Sequence, residues 1–392
     1  MVEPTFYKLS IFLLSWVGLW PYNNTKYRWL HNNIICFISL SAVIPQLFAL
    51  KTAEFTIYVL SNRLLPIILC SYVVLRYNMF WYQINVVMEL MEHMKYDWKM
   101  NQGEPLKILK NYAALGKRYS VVLMALIYLG AFIPITCHMF SYILCIIVST
   151  NITCQHKFLM TVEYFVDEKK YSFFITSHQY FLLIVDATIL AGIETLMVTW
   201  FQHACSLFAV VSYHIKKAVF EDCVQSHVSR RYLNRNSKRN IENVINAHRR
   251  AMEYAYNLRD RYMFSYGTFL LFITICLSIN LFLLTQSAFL YRDIEETFIH
   301  LAFLSCMLTC MIFFNYMVQL TSDAANSIVT IIYNTNWYEA SVPLQKLLLI
   351  IMIRSIDSFT CNYFGFYSAS MEGVSMILRK SVSYFMVMMS MK

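Results

Sequence analysis

Few side chains in this sequence could carry out acid–base or ion chemistry, and four of those few lie inside long apolar stretches. Asp186 and Glu194 are eight residues apart, so on a helix they lie on roughly the same face. Arg379 and Lys380 lie well inside the last apolar stretch. A charge in such a span is costly unless it reaches water or a partner. These residues therefore indicate either functional positions or structural pairs between helices.

The remaining reactive residues form no catalytic or metal-binding pattern. The eleven cysteines are an odd number and most lie in apolar runs, which favours their interpretation as small hydrophobic residues. His138 has no acidic or Cys residue at metal-ligand spacing, so we expect a hydrogen-bonded core histidine. The sequence contains no CxxC, HExxH or Gly-rich phosphate loop. We therefore predict neither an enzyme nor a metal or cofactor site.

The composition predicts a membrane protein. The chain has 392 residues, of which 58% are hydrophobic and only 14% charged, with a mean hydropathy of +0.48. Soluble domains are about 45–50% apolar and about 25% charged. Near the N-terminus, Ile11–Trp20 is too short to span and lacks a cleavage site, so it fits an interfacial anchor better than a signal peptide.

Seven apolar stretches are long enough to cross a bilayer, which requires about 20 residues. A further apolar stretch at 344–353 is too short to span. The sequence therefore predicts an all-α membrane protein with seven transmembrane helices. The predicted spans are 32–50, 57–81, 119–148, 173–200, 262–290, 298–320 and 364–391.

Lys and Arg residues in the connections predict the orientation. One side of the membrane holds 22 of them and the other only seven, so the N-terminus is predicted to be cytoplasmic and the C-terminus extracellular. Asn151 begins a glycosylation sequon in the predicted outer loop, where a glycan could be attached. The net charge of +9 is thus a topology signal and not a nucleic-acid footprint. This orientation, and the lack of DRY and NPxxY motifs, argue against a G-protein-coupled receptor.

Three predicted helices are longer than the bilayer is thick. Residues 173–215, 238–290 and 298–333 lack proline and would extend far beyond the hydrocarbon core of about 30 Å. The orientation places all three projections in the cytoplasm, where 344–353 could pack against them. The resulting cytosolic helical bundle could hold one subunit together or join several, and helix lengths alone leave both open.

Two C-terminal stretches carry a family resemblance. Residues 333–355 read YNTNWYEASVPLQKLLLIIMIRS, and the closing helix contains Ser383, Tyr384 and Phe385. Together with the span-4 stretch VDATILAGIETLMVTWFQHACSLFAVVSYHI, this resembles insect odorant receptors, in particular the ant and wasp branches. Span 6 departs from the family pattern at Val318 and Gln319, where a small residue usually precedes the Gln. The matching anchor residues are Tyr333, Trp337, Tyr338, Leu344, Lys346 and Arg354.

The resemblance implies a subunit of an odorant-gated, non-selective cation channel in the plasma membrane of olfactory neurons. Such a subunit assembles as a heterotetramer with the co-receptor Orco. The implied division of the chain is 1–332 for helices 1 to 6 with their cytosolic extensions, 333–361 for a cytosolic anchor and 362–392 for the pore-lining helix. An acidic residue near Asp186 is common in the family, which favours a structural partner for it. Glu194 is expected to approach the inner membrane edge.

The resemblance also implies roles for the last helix. The sequence YFMVMMSMK is similar to the ending of the co-receptor, which assigns Val387 to a hydrophobic constriction and Ser390 and Met391 to the outer pore. Without the resemblance, the residue pattern favours packing of Val387 against a neighbouring helix, because apolar residues in spans usually serve packing. Arg379 and Lys380 either extend towards the inner interface or face a wet vestibule and lower the local cation concentration.

The odorant pocket of the family lies between helices 2, 3, 4 and 6 in the outer half of the membrane, and its ligands are small, volatile and mostly apolar. No shared motif marks it, so depth and residue type select the candidates. Ordinary helix packing is the alternative for each. The candidates are Tyr72, His138, Met139, Tyr142, Tyr180, Ile184, Thr188, Phe303 and Met307.

Two other classes of protein are alternatives to an odorant receptor. An insect gustatory receptor forming its own ligand-gated channel is the nearest alternative, but its last helix typically carries a TYxxxLxQF-like signature where this chain has SYFMVMMSMK. A secondary transporter would show repeated halves and paired broken helices. The proline-free middle of this chain shows neither.

Overall fold

The computed structural model describes residues 4–23, 25–51, 56–148, 158–226, 235–356, 362–363 and 367–391. In this part of the chain the fold is helical apart from a two-residue hairpin pair, β1 (Asn362–Tyr363) with β2 (Tyr367–Ser368). The predicted all-α class is confirmed. The predicted glycosylation site Asn151 lies outside the described residues. The helices are α1 Pro4–Trp16, α2 Thr25–Lys51, α3 Ile57–Tyr82, α4 Ile84–Met100, α5 Glu104–Val148, α6 Glu168–Ser226, α7 Arg235–Thr285, α8 Ile294–Tyr333, α9 Val342–Ile356 and α10 Met371–Ser390.

Six helices of the described chain are long and apolar enough to cross a membrane: α2, α3, α5, α6, α7 and α8. They coincide with the first six predicted spans. The predicted seventh span corresponds to α10, whose 20 residues reach about 30 Å and so match the hydrocarbon core. Helix α10 is not among those six, since it carries Arg379 and Lys380 in its middle and Glu372 in its first turn.

Side-chain caps fix where three of the helices begin. Thr56 precedes α3 and accepts a hydrogen bond from the Val59 N–H at 3.3 Å, while Asp293 precedes α8 and accepts from the Glu296 N–H at 3.1 Å. Ser370 caps α10 in the same way, through the Gly373 N–H at 3.3 Å. The first N–H groups of a helix have no partner within the helix, and each cap accepts a hydrogen bond from one of them. The residues next to each boundary therefore determine where these three helices begin.

Helix α6 is the centre of the subunit. It has 59 residues, about 90 Å in length, and packs against α1, α5, α7 and α8. Its middle is buried on every side, as expected of a helix surrounded by others. Its length confirms that it extends far beyond the hydrocarbon core.

The N-terminal helix α1 packs into the subunit instead of only lying on its surface. Leu14 is fully buried, and the Ser10 hydroxyl donates to Thr195 of α6 at 3.0 Å. Gly192 makes this approach possible, since a Cβ there would meet the Leu14 side chain at 3.2 Å. Phe12 and Trp16 remain exposed on the opposite face of α1. The predicted interfacial anchor therefore has a buried side that the sequence did not reveal.

Outside the apolar spans, the extensions of the long helices meet α4 and α9. Helix α4 occupies a stretch that the sequence interpretation treated as a loop, and it buries Met94 against the core. On α7, Val244 is fully buried and His248 Nε2 lies 3.2 Å from the Ser355 hydroxyl of α9. The short apolar stretch at 344–353 thus forms part of a helix that packs against the α7 extension.

Candidate functional site

A cavity of about 380 Å³ lies between α3, α5, α6 and α8, with residues 158–162 forming one side. These helices are spans 2, 3, 4 and 6 of the sequence prediction. The apolar side chains that these helices place at the cavity include Leu65, Leu69, Ile299 and Phe303. The volume is in the range of sites that enclose small organic molecules.

Polar side chains also line this cavity. His138 is only 6% exposed, and its Nδ1 lies 2.6 Å from the Tyr180 hydroxyl. Tyr58 donates to Glu296 at 2.8 Å, and Glu295 follows Asp293 in the same first turn of α8. His300 Nδ1 lies 2.8 Å from the Asn280 side-chain oxygen. The cavity therefore combines an apolar wall with several hydrogen-bonding groups held in place by partners on other helices.

The structure brings only some of the predicted ligand residues to this cavity. His138 and Phe303 line it, and Tyr180 contacts His138 from behind. The Thr188 hydroxyl lies 2.9 Å from that of Tyr128. The others lie elsewhere in the bundle. The Tyr72 ring contacts that of Phe272 in a tilted arrangement, Met307 is buried, and Met139, Tyr142 and Ile184 are exposed on the outside of the bundle.

Helix α10 has one face on the core and one face exposed. Val374, Ile377 and Ser381 are buried against α7 and α8. Val387 is 52% exposed. Residues three or four positions apart lie on the same side of a helix, so they share the side of Val387. The exposed residues of α10 include Glu372, Met376, Arg379, Lys380, Ser383, Tyr384, Val387 and Ser390.

Hydrogen bonds between α10 and its neighbours fix its depth. The Met371 N–H donates to Gln319 of α8, and Gln286, near the outer end of the α7 span, donates to the Met389 sulfur at 3.5 Å. The Ser381 hydroxyl donates to the Thr274 carbonyl, midway along that span. Arg379 and Lys380 are adjacent to Ser381 in sequence. Both residues thus lie near the middle of the helix in depth, with exposed side chains and no ion-pair partner among the described residues.

The predicted anchor residues divide between core and surface. Leu344 is buried and Trp337 half-buried, whereas Tyr333, Tyr338, Lys346 and Arg354 are exposed. Helix α9 also exposes a row of apolar side chains on the face opposite Leu344 and Leu348. The row consists of Val342, Leu349, Ile350 and Ile353.

The partners in two buried polar networks were not identified from the sequence. Glu194 forms an ion pair with Arg76 of α3 at 2.9 Å. Asp97 of α4 accepts from His203 of α6 at 3.1 Å and from Arg250 of α7. A single Arg inside an apolar span was the only available signal for the first, because pairing between distant helices leaves no local spacing pattern.

The family model described as 7tm Odorant receptor matches residues 56–382. The chain therefore belongs to the insect odorant receptor family, a family of non-enzymatic, ligand-gated channels that act in olfaction. It is accordingly a multi-pass membrane protein, and the family match selects smell over the gustatory alternative.

Solved structures show the same fold. The olfactory receptor OR5 from Machilis hrabei in complex with eugenol superposes with a TM-score of 0.80 at 11% identity, over 100% of this chain and 99% of OR5. The OR5 structure titled without a ligand gives a TM-score of 0.73 at 11% identity, over 99% and 98% of the two chains. No curated protein sequence matches the chain significantly.

Proposed function

We propose that this chain is the odorant-specific subunit of a cation channel assembled with the co-receptor Orco in the dendrite membrane of olfactory neurons. A small odorant binds in the outer-half cavity, and α10 lines the pore. The observation that carries the pore assignment is the pair of exposed charges at mid-depth on α10. Charges at that depth are too costly in lipid, so they require water or a partner from another subunit.

The cavity supports the ligand assignment. Its volume of about 380 Å³ suits a small volatile molecule, and the similarly folded Machilis OR5 has been solved with eugenol, a small aromatic alcohol. The lining favours a ligand with an apolar body and one hydrogen-bonding group facing His138 or Glu295. Binding opens the pore because the ligand binds the open state more tightly than the closed one.

On this proposal the exposed face of α10 surrounds the ion path. Val387 supplies the hydrophobic constriction, where apolar side chains gate by dewetting, and Ser390 and Met391 lie at the outer mouth. Arg379 and Lys380 face the water-filled inner part of the pore and lower the local cation concentration. Residues 362–392 are therefore the pore unit of the subunit.

Assembly with Orco is supported by the surface of the anchor, residues 333–361. The apolar row on α9 lies in the predicted cytosolic region, after the end of α8. Lipid cannot cover these side chains there. Such a row on one subunit is suited to an intersubunit contact with an apolar centre. Tyr333, Tyr338, Lys346 and Arg354 are exposed around it. Residues 1–332 supply the spans that hold the odorant site.

The deciding experiment measures whole-cell current in cells expressing this chain with and without Orco, during application of a broad odorant panel. We expect odorant-evoked, non-selective cation current only in the co-expressing cells. Robust current from this chain alone would contradict the obligate partnership. Surface labelling in both cell types provides the control for delivery.

Two adjacent residues test the ligand site. His138→Phe keeps an aromatic ring but removes the polar group from the cavity, so we expect the half-maximal concentration of a hydrogen-bonding odorant to rise about tenfold, a loss of ~1.4 kcal/mol. Met139→Phe, at a position that is 47% exposed, is the matched control and should leave it unchanged. If Met139→Phe raised the half-maximal concentration and His138→Phe did not, the ligand site would lie on the outer surface of α5 and not in the cavity.

A further inference from the structure

A second, much smaller cavity lies behind one wall of the odorant cavity. It is enclosed by α2, α3, α6 and the segment before α6, and its volume of about 10 Å³ is close to the space needed by one water molecule. Met160, Val162 and Leu183 line both cavities. The small cavity therefore lies directly behind side chains that face the larger one.

Two buried oxygens at this cavity have no hydrogen-bond partner in the described part of the chain. They are Oδ1 of Asp186, a residue that is 7% exposed, and Oε1 of Gln46, which is 3% exposed. Both residues line the cavity. Leaving either oxygen without a hydrogen bond would cost about 1–3 kcal/mol, and more for an ionised carboxylate. The Cys70 thiol lines the same cavity and interacts with the Asp186 carboxyl, but these two oxygens still have no hydrogen-bond donor among the described residues.

The other polar groups around the cavity are already satisfied. Gln179 accepts from the Met160 N–H at 3.3 Å and donates to the Met160 carbonyl at 2.8 Å. The Tyr164 hydroxyl lies 2.7 Å from Nδ1 of His178. No described Lys or Arg lines the cavity, so none of these side chains offsets Asp186 there. Only the oxygens of Gln46 on α2 and Asp186 on α6 thus still need a hydrogen-bond donor among the described groups at this cavity.

We propose that this cavity binds a single water molecule that bridges Asp186 and Gln46 and so joins α2 to α6. Water meets the requirement because it donates two hydrogen bonds. If the carboxyl carries its proton on Oδ1, that hydroxyl donates to the water and the water donates to Gln46. A hard metal cation is a poorer fit, since it takes about six oxygen ligands and the cavity offers two free ones.

Electron cryo-microscopy of the assembled channel, at a resolution that shows ordered water, tests the proposal directly. We expect one density peak within hydrogen-bonding distance of both oxygens. A peak surrounded by five or six oxygens, present only with sodium, would replace the water by a cation. Direct contact between the two side chains, with no peak, would also overturn the proposal.

A double-mutant cycle tests the bridge in solution. Gln46→Met and Asp186→Leu each remove one end, and each should lower the melting temperature of the detergent-extracted full chain by about 2–4 °C. Because the two ends share one water, the double variant should lose no more than the larger single loss. Additive losses would refute the bridge.

Ser39 provides the matched control for this cycle. It is a buried residue of α2 whose hydroxyl also lacks a protein partner, but it does not line the cavity. Ser39→Ala combined with Asp186→Leu should therefore give additive losses. If Asp186→Leu fails to reach the membrane, Asp186→Asn takes its place, and the density test needs no variant.

Discussion

Helices α6 and α10 both carry charge within long apolar stretches, but they place it in opposite environments. Glu194 of α6 is buried and paired with Arg76 of α3, so its charge is balanced inside one subunit. Arg379 and Lys380 of α10 are exposed and have no such partner in the described chain. The difference indicates that α6 belongs to a scaffold completed within the subunit, while α10 depends on water or on neighbouring subunits.

The largest expected effect comes from breaking the buried pair. Arg76→Ala leaves Glu194 uncompensated in an apolar interior, which costs about 3–5 kcal/mol and should abolish delivery to the cell surface. Arg76→Met combined with Glu194→Leu removes both charges and should recover most of the delivery. Surface labelling and thermal stability measure both. Arg379→Met, which removes an exposed charge, is the control, and an equal loss of delivery there would remove the distinction between the two helices.

Val387→Ala addresses the exposed face of α10. A smaller side chain weakens the dewetted constriction, so we expect a several-fold increase in unliganded current or a change in ion selectivity when the variant is co-expressed with Orco. Val382→Ala makes the same change on an exposed position outside the face shared with Ser390. Unchanged currents for Val387→Ala at normal surface expression would show that this face does not line the pore.

Arg379→Gln should have a smaller effect on the same face. At about 10 Å in water a unit charge repels a cation by ~0.4 kcal/mol, which is about a twofold change in local cation concentration. Single-channel conductance should therefore rise by up to about twofold, and more at low salt, where screening is weak. Arg379→Lys keeps the charge and should match the wild type. No change in Arg379→Gln at low salt would place this side chain away from the ion path.

The smallest effect concerns the contact between α7 and α9. Burial, and then the nearby Arg354, lower the pKa of His248 below its ordinary value. The unfolded chain therefore binds the proton more readily, so stability is lost as the pH falls below about 6.5. The melting temperature of the extracted protein should fall by about 1–2 °C between pH 7.5 and 5.5 through this group. His248→Gln should remove that component, and an identical pH profile in the variant would exclude it.

Sequence patterns predicted where the spans lie and how long the helices are better than they predicted which side chains of different helices are in contact. Hydropathy and the lack of proline located the spans and the length of α6, because both properties are local. The partners Arg76 and Glu194 are 118 residues apart, and their pairing depends on how α3 and α6 are rotated. In helices apolar on all sides, periodicity does not determine that rotation. For the same reason Met139 and His138 seemed equivalent in sequence, although only His138 lines the cavity.

The contact between Ser10 and Thr195 has a consequence for how the protein is made. The two residues are 185 positions apart, which at about 5–20 residues per second separates their synthesis by ~10–40 s. During that time α1 has left the ribosome but its binding surface on α6 does not yet exist. Phe12 and Trp16, which stay exposed in the finished subunit, are suited to hold the waiting helix at the lipid surface. Helix α1 is thus translated well before α6 but reaches its final position only after α6 has been made.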